Sequence, residues 1–175
     1  MPPSGEVSTG VIISDVIGKT QNIAIFSGLT RDIDSVADRL DDASKNATVL
    51  APDNNVMRNL KRKPWEDPDD YETFGEKAYD GQDGQDRAHK NLRRFVEAHI
   101  VPQSPWEEGQ KVKTLAGNEV WYEVKNSKKK VLRVPANAES VGLQNTQIQP
   151  GDVEVISIAD KVANGEVWVI GGSVA

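Results

Sequence analysis

The chain has 175 residues, enough for one sizeable domain with a real core, and its 37% hydrophobic and 27% charged residues are those of a globular protein. Its net charge of -6 argues against a nucleic-acid binder, which needs a basic face, and against charge-driven binding to anionic membrane. The absence of cysteine removes disulfides, thiolate zinc sites and cysteine nucleophiles together, and no apolar run approaches the ~20 residues of a membrane span.

Residues 1–10 are rich in Pro, Gly and Ser, lack the pattern of a signal peptide, and read as a loose tail. Two apolar clusters follow, Val11 to Ile17 and Ile23 to Leu29, and predict two short helices. A third helix is clearer: Asp32 stands as its cap, and Ile33, Val36, Ala37 and Leu40 make one apolar stripe. Next comes Ala47-Thr48-Val49-Leu50-Ala51-Pro52-Asp53, a short buried strand that Pro52 ends because it has no N–H to donate. Asp53 is placed to cap a short helix holding Val56 and Leu60.

Residues 64–86 combine prolines, glycines and many acids with Trp65, Tyr71, Phe74 and Tyr79, and read as a long acidic insertion loop pinned by its aromatics. Asp86 is then the expected start of a strong helix carrying Ala88, Leu92, Phe95, Val96 and His99 on one apolar face, with His89 outside it. The remainder reads as β. Val120, Tyr122 and Val124 alternate with Trp121 and Glu123, and turns are expected at Gly117-Asn118, Asn126-Ser127-Lys128 and Pro150-Gly151. Asn164-Gly165 before Val167-Trp168-Val169-Ile170 is a hairpin signal. Helices early and strands late make the class α+β.

Catalytic and ligand motifs fail on spacing. Gly18-Lys19-Thr20 ends like a phosphate loop, but Ile13 stands where the motif needs glycine. Gly171-Gly172-Ser173 lacks the flanking glycine of a nucleophile elbow. Asp80, Asp83 and Asp86 recur every third residue, whereas a calcium loop needs oxygens at every second position, so a flexible acidic loop leading to the Asp86 cap is preferred to a cation site. The two histidines lie ten apart and form no metal pair. No catalytic, cofactor or metal residue is therefore named, and hydrolysis by acids of 64–86 stands only as a remote alternative.

Surface candidates remain. Lys125, Lys128, Lys129, Lys130 and Arg133 straddle a turn, which serves solubility or recognition of an anionic partner. Trp65, Trp106 and Trp121 are candidate sugar platforms or core anchors. Asn46-Ala47-Thr48 is a glycosylation sequon, weakly favouring a secretory location.

Four segments then line up in order: the helical region 12–40 with Asn22-Ile23-Ala24-Ile25-Phe26; Thr48-Val49-Leu50-Ala51-Pro52-Asp53-Asn54; Phe95-Val96-Glu97-Ala98-His99-Ile100-Val101-Pro102; and Asn164-Gly165-Glu166-Val167-Trp168-Val169-Ile170. Together they resemble a fasciclin (FAS1) domain, fungal members in particular, over residues 11–175. Thr48, Pro52, Asp53, His99, Asn164 and Gly165 fall on the family's boxes. The resemblance implies a β-wedge of two packed sheets with a cluster of N-terminal helices and a single domain. It also implies a non-enzymatic adhesion or interaction module without cofactor, binding protein or glycan partners at the cell surface, in the matrix or in the vacuole. Support of membrane fusion or trafficking from the vacuolar lumen is the alternative. His99 is implied to be structural. Trp168 replaces the box's usual histidine, and Ala98 replaces the tyrosine of an integrin-associated pair, so no ligand site carries over. The candidate contacts are Trp65, Tyr71, Phe74, Lys128, Lys129 and Lys130.

Overall fold

The computed structural model describes residues 10–60, 63–125, 128–133 and 153–173, and for residues 68, 125 and 128–133 it describes the backbone. Residues 1–9 of the expected tail and the turn residues Asn126, Ser127, Pro150 and Gly151 lie outside the described residues.

The strand expected at Thr48 is β1, Ala47–Pro52, and every position in it is buried. It pairs in parallel with β7, Gly165–Ile170, and antiparallel with β2, Ile100–Val101. Helices cover one face and a second apolar layer the other, which is why the strand reads as a continuous apolar run. Ala47, Val49 and Ala51 of β1, with Val167 and Val169 of β7, point to the helices. Leu50, Trp168 and Ile170 point the opposite way and pack on Trp106, Val120 and Tyr122.

The helical layer consists of α1 (Ile13–Val16), α2 (Ala24–Asp32), α3 (Asp34–Leu40), α4 (Asn54–Arg58), α5 (Pro68–Phe74) and α6 (Gly81–Glu97). Ile13, Phe26, Val36, Leu40, Met57 and Val96 come from these helices into the core against β1 and β7. Each fully buried large apolar side chain contributes about 1.5–3 kcal/mol relative to an exposed one.

The remaining strands are β3 (Val112–Lys113), β4 (Glu119–Lys125), β5 (Lys128–Arg133) and β6 (Val153–Val162), in the order β2-β1-β7-β6-β5-β4-β3. The long β6 changes partners along its length. Val153 and Glu154 pair with β5, whereas Val155 onward pairs with β7 through two register shifts. Bulges of this kind bend a strand, so two sheets share β6. That is the wedge the resemblance implied.

Several local expectations are corrected. Asp32 ends α2 instead of capping α3, whose N-cap is the buried Ile33. Residues 64–86 are not a loop: α5 and a following 3-10 turn at Gly75–Lys77 occupy the middle. The helix expected from Asp86 begins at Gly81. Gly84 is buried there, and a β-carbon on it would overlap the Tyr79 backbone, so glycine admits this close approach. His99 lies just beyond α6 and is nonetheless fully buried. The β6–β7 turn is Ala163-Asn164, with Gly165 as the first residue of β7. Val124 is exposed, against the alternation of β4.

Candidate interaction surface

The boxes that carry the resemblance are spent on packing. Asp53 accepts the Val56 N–H at 2.9 Å, the cap expected for α4. The Thr48 hydroxyl is buried, donates to the Gln103 carbonyl at 2.8 Å and accepts from Trp106 Nε1 at 3.1 Å. Trp106 stacks on Trp168 with centroids 5.4 Å apart, so neither ring is a sugar platform. Trp121 is half-buried, with Lys111 Nζ 5.3 Å from its ring. Asn46 is exposed immediately before β1.

His99 is enclosed by Phe26 and Phe95. Its Nδ1 lies 2.8 Å from the Phe95 carbonyl, so that nitrogen carries the proton and donates. Nε2 is then an acceptor, 3.2 Å from the Ser173 hydroxyl. The sequence alone did not connect these two residues, which lie far apart in the chain. A serine beside a histidine suggests a nucleophile and its base. Here the imidazole is fully buried, and its other nitrogen meets a carbonyl where a catalytic pair has an orienting carboxylate. The pair fastens the end of the chain to the helix–strand junction.

The candidate contact residues Trp65, Tyr71 and Phe74 are brought together on α5 and its flanks. They expose 36%, 39% and 47% of their surface, unlike the buried aromatics of the core. Asp67 caps α5 by accepting the Asp69 N–H, and Pro68 occupies the first turn, where its missing N–H is harmless. Tyr79 is the hub beneath. Its ring meets Trp65 and Tyr71 edge-on at 5.1 and 5.4 Å. Its hydroxyl accepts the Asp67 N–H and donates to Asp70.

Asn91 of α6 locks this layer to the body, donating to the Trp65 carbonyl at 3.1 Å and to Asp70 at 2.8 Å. Arg94 holds Asp67 and Asn91, and Arg87 lies 3.8 Å over the Phe74 ring. The Asn91 hydrogen bond, with help from Tyr79, Arg87 and Arg94, holds the Asp70 carboxyl below its usual range despite desolvation. Glu66 accepts from the Tyr71 hydroxyl at 2.6 Å and pushes that phenol up to about 12. The acids nearest the aromatics are therefore committed to hydrogen bonds that hold the platform.

Beside it is a groove of about 370 Å³, walled by Trp65, Tyr79, Ala88 and Leu92, with Asp32 and His89 also lining it. A second depression of about 490 Å³ lies between α4 and Ile156. Lys128, Lys129 and Lys130 are on β5, across from Lys125, Val124 and Glu123 of β4, well separated in the topology from α5. Their side chains lie outside the described residues. Among the described residues no group of three or more His, Asp or Glu could hold a metal ion, and no helix is long and apolar enough to cross a membrane.

No family model matches the chain. Curated proteins do. A FAS1 domain-containing protein of Neurospora crassa is 46% identical over 98% of this chain and 73% of its own length. Relatives of the same description from Aspergillus fumigatus and Emericella nidulans are 48% and 47% identical, each over 91% of this chain. The chain spans only about three fifths of those two relatives, 61% and 60%. Among solved structures, a FAS1 domain pair from the insect cell adhesion molecule fasciclin I superposes with a TM-score of 0.60 at 9% identity, over 95% of this chain and 51% of that one. The identity in the first relative, spread across almost the whole chain, leads to one conclusion: the chain belongs to the FAS1 (fasciclin) domain family.

Proposed function

We propose that the chain is a non-enzymatic interaction module that recognises a protein partner through the α5–α6 face, on the secretory side of the cell. The observation that carries this reading is the trio Trp65, Tyr71 and Phe74, partly exposed on a platform held rigid by Tyr79 and Asn91. Rigid, amphipathic aromatics lose little entropy when covered, which suits a binding hot spot. Catalysis is disfavoured because the acids beside the groove serve as hydrogen-bond acceptors for the fold: Asp67 caps α5, Asp70 receives Asn91 and Tyr79, and Glu66 receives Tyr71. The exposed sequon residue Asn46 and the adhesion context of the insect structural neighbour both favour a lumenal or extracellular setting.

The test compares wild type with a Trp65→Ala/Tyr71→Ala/Phe74→Ala variant, after circular dichroism shows that both are folded. Surface-immobilised protein is exposed to a host extract and to a glycan array, and retained species are identified by mass spectrometry. Loss of a specific protein partner from the variant is expected. Retention of every partner by the folded variant overturns the assignment of the face, and a glycan bound equally by both overturns the protein reading. Microscopy of the full-length precursor checks the location, and a cytosolic pool alone refutes it.

A further inference from the structure

We propose that Asn164-Gly165 is a site of spontaneous deamidation that the fold keeps shut, so that a chain left unfolded is modified there and does not refold.

Asn164-Gly165 is the single Asn-Gly pair in the chain, and every other asparagine is followed by a residue with a side chain. In a solvated, unfolded chain the Gly165 backbone nitrogen gives up its proton to base and attacks Asn164 Cγ. The N–Cγ bond forms, the Cγ–Nδ2 bond breaks, and Nδ2 takes up a proton and leaves as ammonia. Water then opens the cyclic imide at either carbonyl, which gives aspartate or isoaspartate at position 164. Glycine favours the attack because no β-carbon shields its nitrogen and its backbone reaches conformations closed to other residues.

The folded chain blocks each part of this reaction. Asn164 and Gly165 are both buried, away from base and water. The leaving atom Nδ2 donates to the Leu40 and Asp42 carbonyls at 3.1 and 3.3 Å, while Oδ1 accepts the Ile13 N–H at 2.8 Å. Those bonds hold Cγ between the start of α1 and the end of α3. Gly165 is held as firmly, paired with Ala47 of β1 on one side and Val162 of β6 on the other. The contact with Ala47 is so close that a β-carbon on Gly165 would overlap its carbonyl. The nitrogen reaches Cγ only when these pairings open.

Neither product fits the space that the amide leaves. Aspartate sets a carboxylate oxygen against the two carbonyls that Nδ2 had satisfied. Isoaspartate routes the main chain through Cβ and Cγ and so inserts an extra backbone atom. It does so where the Asn164 carbonyl accepts the Ala47 N–H and the β1–β7 register begins. Both strands lie inside the sheet and contribute to the apolar layers on its two faces, so the damage reaches the whole domain.

The experiment incubates wild type at mildly alkaline pH, native in buffer and unfolded in guanidinium chloride. Trypsin releases residues 162–175, a peptide in which Asn164 is the single asparagine. Mass spectrometry reads the exchange of amide for carboxyl, and electron-based fragmentation separates aspartate from isoaspartate. In the unfolded sample Asn164 is expected to deamidate faster than every other asparagine. A folded domain is open for only about 10⁻³–10⁻⁶ of the time, so the native rate is expected to be at least ~100-fold lower even with local opening. Gly165→Ala, compared while unfolded so that its folding defect has no bearing, is expected to react at least ~10-fold more slowly than wild type. On dilution from denaturant after increasing delays, the refolded fraction is expected to carry intact Asn164, with both acidic products confined to the fraction that stays unfolded. A smaller difference between native and unfolded rates overturns the closure by the fold. An unfolded Gly165→Ala chain as fast as wild type overturns the assignment of the site. Deamidated chains that refold with the wild-type unfolding midpoint overturn the irreversibility.

Discussion

Asn164 is the residue whose loss tests the account of the fold most severely. It is fully buried in the β6–β7 turn, and its amide bridges elements far apart in the chain. Oδ1 accepts the Ile13 N–H at 2.8 Å, and Nδ2 donates to the Leu40 carbonyl at 3.1 Å and the Asp42 carbonyl at 3.3 Å. Its own carbonyl accepts the Ala47 N–H, which begins β1. Asn164→Ala strands the Ile13 N–H and the Leu40 carbonyl in the core, at about 1–3 kcal/mol each. With the longer third bond, the total is about 3–5 kcal/mol, a large part of the ~5–15 kcal/mol that holds a domain folded. For a chain of this size that lowers the melting temperature by roughly 6–20 °C. Urea unfolding followed by the fluorescence of Trp106 and Trp168, both buried, reads it directly. Asn164→Asp sharpens the test. The carboxylate still accepts from Ile13 but presents a second acceptor to two carbonyls, so it costs at least as much at neutral pH and recovers as acid restores a donor. A cost below about 1 kcal/mol for Asn164→Ala, or no recovery of Asn164→Asp in acid, refutes the bridging role.

Other perturbations follow from the same geometry. Asp53→Ala removes the cap on α4, costs about 1 kcal/mol in urea unfolding, and leaves partner binding unchanged; a stable variant that no longer binds makes this corner a contact site. Gly165→Ala prevents soluble expression or shifts the unfolding midpoint drastically, because φ is 154° and a β-carbon would overlap the Ala47 carbonyl; a folded, wild-type-like protein refutes the close approach. Burial raises the Asp160 carboxyl above its ordinary 3.8, only partly opposed by Lys19. The folded state therefore holds this proton more tightly, and the charged form weakens folding above the raised value. Asp160→Asn is expected to stabilise at neutral pH, with the gain vanishing as pH falls through the unfolded value; an equal effect at every pH refutes it. Asp70 has the opposite sign, since its lowered value gives stability above the unfolded pKa that is lost as pH falls through the folded one. Amide exchange in α5 should accelerate over that acid window in wild type and not in Asp70→Asn.

Much of the architecture was legible because local and tertiary demands coincided. At β1 the apolar run, Pro52 and Asp53 all point to the strand–helix corner that forms. The buried position of His99 follows from α6 periodicity carried two residues past the helix end at Glu97. The failures have physical causes as well. Glycine and aspartate favour loops intrinsically, so residues 64–86 read as a loop. Yet Asp67-Pro68 is a cap followed by a first-turn proline, a start signal present in the sequence and overruled by the acidic composition. Gly81 and Gly84 serve other needs, a positive φ of 70° and a close approach to Tyr79, neither visible without the neighbouring chain. Trp106 was ambiguous between platform and anchor, because its partners Thr48 and Trp168 lie about 60 residues away on either side.

The division between the buried boxes and the α5 segment bears on the proposed recognition surface. Thr48, His99, Asn164 and Trp168 are all buried, and their polar atoms are held by the protein itself. Residues so enclosed define the fold and have no surface left to offer a partner. The α5 segment obeys a different constraint: Asn91 and Tyr79 hold it from below, so its outward side chains can vary without disturbing the core. Exposed Tyr71 and Phe74 lie on that outward side, together with Glu72 and Glu76. Substituting the inward pair should loosen the platform and weaken binding through order. Substituting exposed Glu72 and Glu76 should change binding with the unfolding midpoint unmoved, and that separation distinguishes a recognition surface from a merely stabilising segment.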